Sequence, residues 1–386
     1  MKFAHLADCH LGAWKEPKLQ ELNLKAFEKS IEACINSKVD FVIITGDLFD
    51  TALPPIDILK KTAEKLRELK DSKIPCYVIA GSHDYSVSGK TFLDVLEKAG
   101  LCENVEDIDG DNLILIETKE FIIAGISGKK QELEKELIKK IKIPKLNRDK
   151  FKILALHTTI EENKTNEFMH GIKIDELPRG FNYYALGHIH KQFKREYENG
   201  MIVYPGPLFP NNFSELEEME NGGFFIVNVN GGKITLEREE IRMKEVCFLE
   251  VSGDGKNPFL LTSEIIGRLK KENINDKILL LKVSGTLSNG KTSEVNFEQI
   301  KKETEKAFVL LKNVSGLKSP ETKLEVEIKA ENIDQIEKEA VEKLNKDYKG
   351  LALPLLNALS IEKIEGESTA TFEKRLLDNV RKVIEI

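Results

Sequence analysis

Nine residues in five short motifs carry the side chains from which a reactive centre is built. Asp8 and His10 form an Asp-x-His directly after the apolar run 2–7. Asp47 follows the run 41–46 in a Gly-Asp, and Ser82, His83 and Asp84 follow the run 76–81 in a Gly-Ser-His-Asp. His157 ends the run 152–157, and His188 with His190 ends the run 183–188 in a Gly-His-x-His. Mixed imidazole and carboxylate donors suit borderline-to-hard divalent ions such as manganese, iron or zinc, and no thiolate is offered. In an extended chain residues i and i+2 share a face, so Asp8 and His10 point together, as do His188 and His190. Asp8, His10, Asp47, His157, His188 and His190 exceed the needs of one tetrahedral zinc. Two ions about 4 Å apart that share a bridging carboxylate account for the number better.

Each motif alone has an ordinary reading. A Gly-Asp after a strand is usually a turn, and a buried strand-end histidine usually bonds to backbone. Their co-occurrence singles out a metal centre, since five of the seven histidines fall in these motifs. His5, inside the first run, and His170, in a loop, are left as structural residues.

The apolar runs 2–7, 41–46, 76–81, 121–126, 152–157 and 183–188 are short and rich in β-branched and aromatic residues, which favours buried strands. Helical patterns over 22–37, 56–69 and 91–98 lie between several of them, so an α/β layered fold is expected. In such folds ligands bind outside the carboxyl ends of the strands, where all five motifs stand. FFIVNVN and GGKITLEREEI read as a hairpin closing this region near residue 240. From 241 a small β-α-β-α-β pattern runs to about 318, with helical stretches at 258–272 and 297–307. Beyond 319, SPETKLEVEIKAEN precedes two helical segments, with GEST (366–369) as a flexible link before the last. That last helix places Phe372, Leu376, Leu377, Val380, Val383 and Ile384 along one stripe, suited to docking on its own domain or on a partner.

Composition sets outer bounds. At 386 residues, 41 % hydrophobic and 32 % charged, the chain is expected to fold as two or three soluble domains. No run of about 18 apolar residues exists, so no membrane span is expected, and the polar N-terminus does not read as a secretory signal. The five scattered cysteines, without a CxxC pair, are read as reduced. The net charge of −7 weighs mildly against a DNA binder. A local field can oppose it, and carboxylates gathered around cations make a site that is positive when loaded. Lys129 to Lys150 holds nine basic against four acidic residues and is read as a solvated face rather than a DNA strip.

The set DCH, GDLFD, GSHD, LHTT and GHIH, in this order and spacing, resembles the calcineurin-like metallophosphoesterases. ADCHLG, VDFVIITGDLFD and the length of chain beyond GHIH narrow the resemblance to the meiotic-recombination-eleven type nucleases of double-strand-break repair. It implies a four-layer α/β fold for residues 1–240, a calcineurin-like β-sandwich flanked by helices. It implies a small α+β DNA-capping domain at 241–318 and a C-terminal helical region, 319–386, that binds an ABC-type coiled-coil ATPase. Asp8, His10, Asp47 and His190 would hold one ion, and Asp47, the residue at 82, His157 and His188 the other. His83 would face the leaving oxygen and Asp84 would orient His83. The ions would be two Mn2+, with Mg2+ or other divalent ions as alternatives. The implied reaction is DNA phosphodiester hydrolysis, as 3′-to-5′ exonuclease on duplex ends and as endonuclease on single strands and hairpins. A homodimer through helices at 57–69 and 91–99 is also implied, with Leu59, Leu66, Leu69, Phe92, Leu93 and Leu96 as candidate contacts. A cytoplasmic, nucleoid-associated location follows from the same likeness. The chain departs from the family's Gly-Asn-His-Asp at Ser82, whose shorter hydroxyl is a weaker ligand than a carboxamide, so impaired catalysis is expected. A general metallophosphatase and a non-catalytic repair scaffold are the rival readings.

Overall fold

The computed structural model describes residues 1–85, 90–129, 132–146, 149–165, 169–219, 221–320, 349–361 and 369–384. Two six-stranded sheets dominate. The first orders β14 (Lys233–Ile241), β13 (Gly222–Asn230), β1 (Lys2–Leu6), β2 (Phe41–Thr45), β3 (Cys76–Ile79) and β4 (Glu103–Asn104). The second orders β11 (Phe193–Tyr197), β12 (Gly200–Tyr204), β10 (Tyr183–Gly187), β9 (Phe151–His157), β8 (Phe121–Ile126) and β7 (Ile116–Glu117). The remaining β5 (Ile108–Asp109) and β6 (Asn112–Leu113) form a short hairpin.

Alternation along the strands builds the layers, because successive side chains point to opposite faces. Phe3 of β1, Phe41 and Ile43 of β2, and Tyr77 and Ile79 of β3 pack against Ile153 and Ala155 of β9 and Tyr183 and Ala185 of β10. The intervening Ala4, Leu6, Val42, Ile44 and Val78 face the opposite way, into a second core. Helix α1 (Pro17–Asn36) covers that core with Leu19, Leu22, Ala26, Phe27, Ile31 and Cys34, a three-to-four-residue spacing. Its Pro17 sits in the first turn, where a missing N–H costs nothing. Helix α2 (Ile56–Asp71) adds Ile58, Leu66 and Leu69, and α3 (Leu93–Lys98) adds Leu93 and Leu96. Each such side chain taken fully out of water contributes about 1.5–3 kcal/mol. A third core, with Leu154, Leu156, Tyr184 and Leu186, lines the outer face of the second sheet, where α4 (Glu134–Lys140) supplies Ile138. Sheets face to face with cores on their outer sides are the four layers expected.

The chain runs β1–α1–β2–α2–β3, with β1, β2 and β3 parallel, and β8, β9 and β10 are parallel as well. The carboxyl ends that carry the motifs are therefore the ends of parallel strands. All six strands read from the sequence are present, as is the β13–β14 hairpin. The antiparallel pair β11–β12 was not foreseen. Exposed Lys194, Arg195 and Glu196 fill β11, so its sequence lacks a clean alternation.

After α5 (Phe213–Met219) and the hairpin, a three-stranded sheet orders β15 (Val246–Ser252), β16 (Ile278–Thr286) and β17 (Val309–Lys318). Helices α6 (Pro258–Leu269) and α7 (Phe297–Glu303) lie between these strands in sequence. By contacts the chain forms two compact units. One comprises Met1–Ser252, Thr262–Val283 and Asn296–Gly316; the other comprises Gly253–Leu261, Ser284–Val295 and Leu317–Ile386. In the second, α8 (Lys349–Leu359) and α9 (Thr369–Ile384) contact one another. Within α9 Phe372, Leu376, Val380, Val383 and Ile384 are half-buried while Leu377 is exposed. Most of the stretch SPETKLEVEIKAEN and of GEST lies outside the described residues. No described helix is long and apolar enough to cross a membrane.

Candidate metal centre

Loops leaving β1 and β2 are stitched together by backbone bonds. Asp8 N–H donates to the Gly46 carbonyl (3.2 Å), His10 N–H to Asp47 (2.9 Å) and Leu11 N–H to Leu48 (2.9 Å). The loop after β10 joins them, since His188 N–H donates to Asp8 Oδ1 at 2.8 Å. The turn after β3 joins through His83 N–H, which donates to Asp47 Oδ1 at 2.8 Å. Asp8 (φ 50°), His10 (φ 43°), Asp47 (φ 49°) and His188 (φ 92°) all adopt the left-handed region. Such backbone costs on the order of 1–3 kcal/mol per residue and persists only where the surroundings fix it. Gly81 is required for a different reason, because a Cβ there would overlap the Asp47 carboxylate and its amide.

The side chains meet in groups. Asp8, His10 and His190 form one cluster able to hold an ion, and Asp47, His157 and His188 form another. The two join at a single oxygen: Asp47 Oδ2 lies 3.6 Å from His10 Nε2 and 3.2 Å from His157 Nε2. Three of the four imidazoles are turned by a partner on the other nitrogen. His157 Nδ1–H donates to the Thr45 carbonyl (2.9 Å), His190 Nδ1–H to Glu215 Oε1 (2.8 Å) and His10 Nδ1–H to Asp50 Oδ1 (3.2 Å). These partners engage Nδ1 of all three rings and leave Nε2 as the nitrogen turned toward an ion. His10 Nε2 and His190 Nε2 then face one another at 3.1 Å. Two nitrogens each about 2.1 Å from one ion, at right angles, lie about 3 Å apart. Asp8 Oδ2 and His157 Nε2 are buried without a hydrogen-bond partner among the described residues. Donors paired on one side and orphaned on the other fit a divalent cation.

The electrostatics agree. Burial alone would raise Asp47, but the charges of His157, His10 and His83 hold it well below the usual carboxylate range. Burial would lower His157, yet the Asp47 carboxylate, with Asp8 and the Thr45 carbonyl, raises it to about 10, so a cation bound there would take the place of its Nε2 proton. His188 is pushed down to about 3 by burial and by the charge of His157, so it is neutral and ready to ligate. Burial keeps Asp8 above its ordinary value. Asp84 rises to about 6 by burial and the Asp47 charge, against the N–H groups of Gly81 and Phe49.

The six ligand candidates from the sequence are thus together, all buried or half-buried. Ser82 is half-buried between Gly81 and His83, the two residues whose backbones abut Asp47. One expectation changes. Asp84 does not bond to His83; its carboxylate accepts from the backbone N–H groups of Leu48 (3.3 Å), Phe49 (3.0 Å) and Gly81 (2.8 Å). It fixes the turn that carries His83, while the ring itself donates from Nδ1 to the Asp50 carbonyl at 2.8 Å. Asp50 and Glu215 were not read from the sequence as site residues. Asp50 lies within GDLFD and carried some signal, whereas Glu215 lies on a short acidic helix and carried none. His5 is between the sheets, bonded to Tyr183 and Thr45, as a structural residue should be. Among the basic residues from 129 to 150, Lys139, Lys140 and Lys142 are exposed and ion-paired to carboxylates, as a solvated face predicts, whereas Lys135 is buried and paired with Glu132. Leu66, Leu69, Leu93 and Leu96, named as dimer contacts, are core residues.

Residues 1–192 match the model of the calcineurin-like phosphoesterase family. The chain is 28 % identical to the DNA double-strand break repair protein Mre11 of Methanocaldococcus jannaschii over 73 % of its own length and 82 % of that protein. It is 29 % identical to Mre11 of Archaeoglobus fulgidus, over 78 % and 72 % respectively. With Mre11 of Methanococcus maripaludis the identity is 31 %, over 60 % and 64 %.

Proposed function

We propose, from the premise that this chain belongs to the calcineurin-like phosphoesterases and is a relative of the archaeal Mre11 proteins, that it is a two-metal DNA nuclease of double-strand-break repair. One observation carries this reading: a single buried carboxylate oxygen, Asp47 Oδ2, joins two imidazole–carboxylate clusters whose remaining donors are turned inward. Asp8, His10, Asp47 and His190 would hold one divalent cation, and Asp47, His157 and His188, with Ser82 or a water beside it, the other. Manganese suits the mixed donor set, with magnesium as an alternative. Bound there, a pair of cations would supply Lewis-acid polarisation of a phosphoryl oxygen and acidify a water.

The chain's own residues do the rest. Orientation of the imidazoles by Asp50, Glu215 and the Thr45 carbonyl holds the donors before any ion arrives. His83 is the leaving-group residue: its side chain is 47 % exposed and its Nδ1 is engaged, so Nε2 is free to meet the departing 3′- or 5′-oxygen. Asp84 positions it through the turn.

The finer assignments belong to the same proposal. They are exonuclease action on duplex ends, endonuclease action on single strands and hairpins, and a cytoplasmic, nucleoid-associated location. Residues 241–318 cap the DNA, and 319–386 bind a coiled-coil ATPase. A homodimer would use exposed Leu53, Ile56 and Val95 near α2 and α3 rather than the buried leucines.

Ser82 lowers turnover because its hydroxyl reaches less far than a carboxamide. The test is manganese-dependent cleavage of single-stranded DNA by this chain and by Ser82→Asn. The substitution is expected to raise the rate at least tenfold, and equal rates would reject the role given to position 82. Two bound ions with no cleavage of any DNA by either form would reject the nuclease reading.

A further inference from the structure

We infer that Asp50 is a positioning residue that locks the metal-facing ring of His10 and the outward ring of His83 into one unit. This rests on the function proposed above. One residue serves both rings with different atoms. Its carboxylate Oδ1 accepts from His10 Nδ1 at 3.2 Å, and its main-chain carbonyl accepts from His83 Nδ1 at 2.8 Å. The same carboxylate oxygen stands 3.9 Å from His83 Nδ1. The two rings contact one another edge to face, centroids 4.8 Å apart at 86°. Asp50 is itself pinned, because its N–H donates to the Leu11 carbonyl at 3.1 Å and Leu11 pairs with Phe49 as an isolated bridge.

With both Nδ1 atoms engaged, both Nε2 atoms are left for chemistry, and they point to different tasks. His10 Nε2 faces Asp47 Oδ2 and His190 Nε2, the seat of one ion. The His83 side chain is 47 % exposed, which leaves its Nε2 for a leaving oxygen. A displacement of Asp50 therefore moves a ligand and the leaving-group histidine together. No other described residue bonds to both rings.

The experiment uses the full chain and its Asp50→Ala and Asp50→Asn forms. Mn2+ binding is followed by titration calorimetry. Cleavage is compared on single-stranded DNA and on bis-p-nitrophenyl phosphate, whose leaving group needs little protonation. Asp50→Ala is expected to weaken one of the two ions by about 10- to 100-fold, leaving the other within about twofold. Because the main-chain carbonyl that holds His83 is kept in this form, its cleavage loss should be of similar size on DNA and on the nitrophenyl ester. Asp50→Asn, whose amide oxygen still accepts from His10 Nδ1–H, should recover the metal affinity to within about threefold. Wild-type affinity for both ions in Asp50→Ala, or an Asp50→Asn form as weak as Asp50→Ala, would overturn the inference. Asp50→Ser carries the same metal expectation as alanine and decides the matter if Asp50→Ala does not fold. A wild-type chain that binds two ions yet cuts no DNA would instead sink the nuclease reading, leaving the affinity comparison intact.

Discussion

His5 offers a way to separate the histidines that fold the chain from those that form its centre. It is fully buried between the sheets, with Nδ1 at 2.9 Å from the Tyr183 hydroxyl and Nε2 at 3.0 Å from Thr45 Oγ1. Burial pushes it from 6.5 down to about 3, and neither partner supplies a charge that would rescue the imidazolium. The unfolded chain therefore takes up a proton that the folded chain refuses. Its contribution is fully present above pH 6.5 and is lost as the pH falls toward 3. Between pH 7 and pH 5 the loss is 2.303RT times about 1.5 units, or about 2 kcal/mol, with roughly one more by pH 4. The sole tryptophan, Trp14, lies in the same unit, its indole N–H bonded to the Pro210 carbonyl at 2.9 Å, so its fluorescence reports this unit's unfolding. Denaturant unfolding would be followed at pH 7 and pH 5 in the presence of chelator, for the wild-type chain and for His5→Gln. The glutamine variant has lower stability at pH 7 but should lose about 2 kcal/mol less on acidification. Parallel pH dependences in the two proteins would refute the reasoning, since the site histidines contribute equally to both.

Two further outcomes are expected. Asp47→Ala should leave the chain with neither ion after dialysis, while His190→Ala should retain one, because one Asp47 oxygen faces imidazole Nε2 atoms of both clusters; elemental analysis showing the same single ion in both variants would dismiss the shared oxygen. Gly81→Ala drives a Cβ into the Asp47 carboxylate, so turnover should fall by about 100-fold with a stability loss of roughly 1–3 kcal/mol; wild-type turnover in a folded variant would show that Asp47 tolerates being moved.

The residues of the candidate centre were legible because two periodicities coincide. An apolar run announces a strand, and the first polar residues after it must sit at the strand's carboxyl end. An i, i+2 pair such as Asp8 with His10 then shares a direction. What the sequence did not carry is everything that depends on contacts between distant loops. The family resemblance gave Asp84 as the residue that orients His83, but three backbone N–H groups in the adjoining loop and turn claim its carboxylate. Glu215 is one acidic residue among several in FSELEEM, and only the fold brings it to His190. The buried leucines of α2 and α3 show the same limit, since a helix stripe looks alike whether it faces a core or a second subunit.

Strain and burial together explain why these distant contacts matter more than the ligands' own geometry. Four site residues hold left-handed backbone, a cost on the order of 4–12 kcal/mol if each takes about 1–3. Two of them, Asp8 and Asp47, are also buried carboxylates, which water would otherwise solvate. A chain free to relax would turn those side chains outward. It is kept from doing so by bonds that have nothing to do with a metal: the backbone ladder between the β1 and β2 loops, the His188 N–H on Asp8, and the Asp84 carboxylate spanning two loops. The candidate centre is therefore held by the chain's own bonds, and an ion bound there would not have to order it. It follows that substitutions in this bracing, which touch neither ion nor DNA, should degrade the centre as severely as loss of a ligand, whereas trimming an exposed lysine from 129–150 should leave it unchanged.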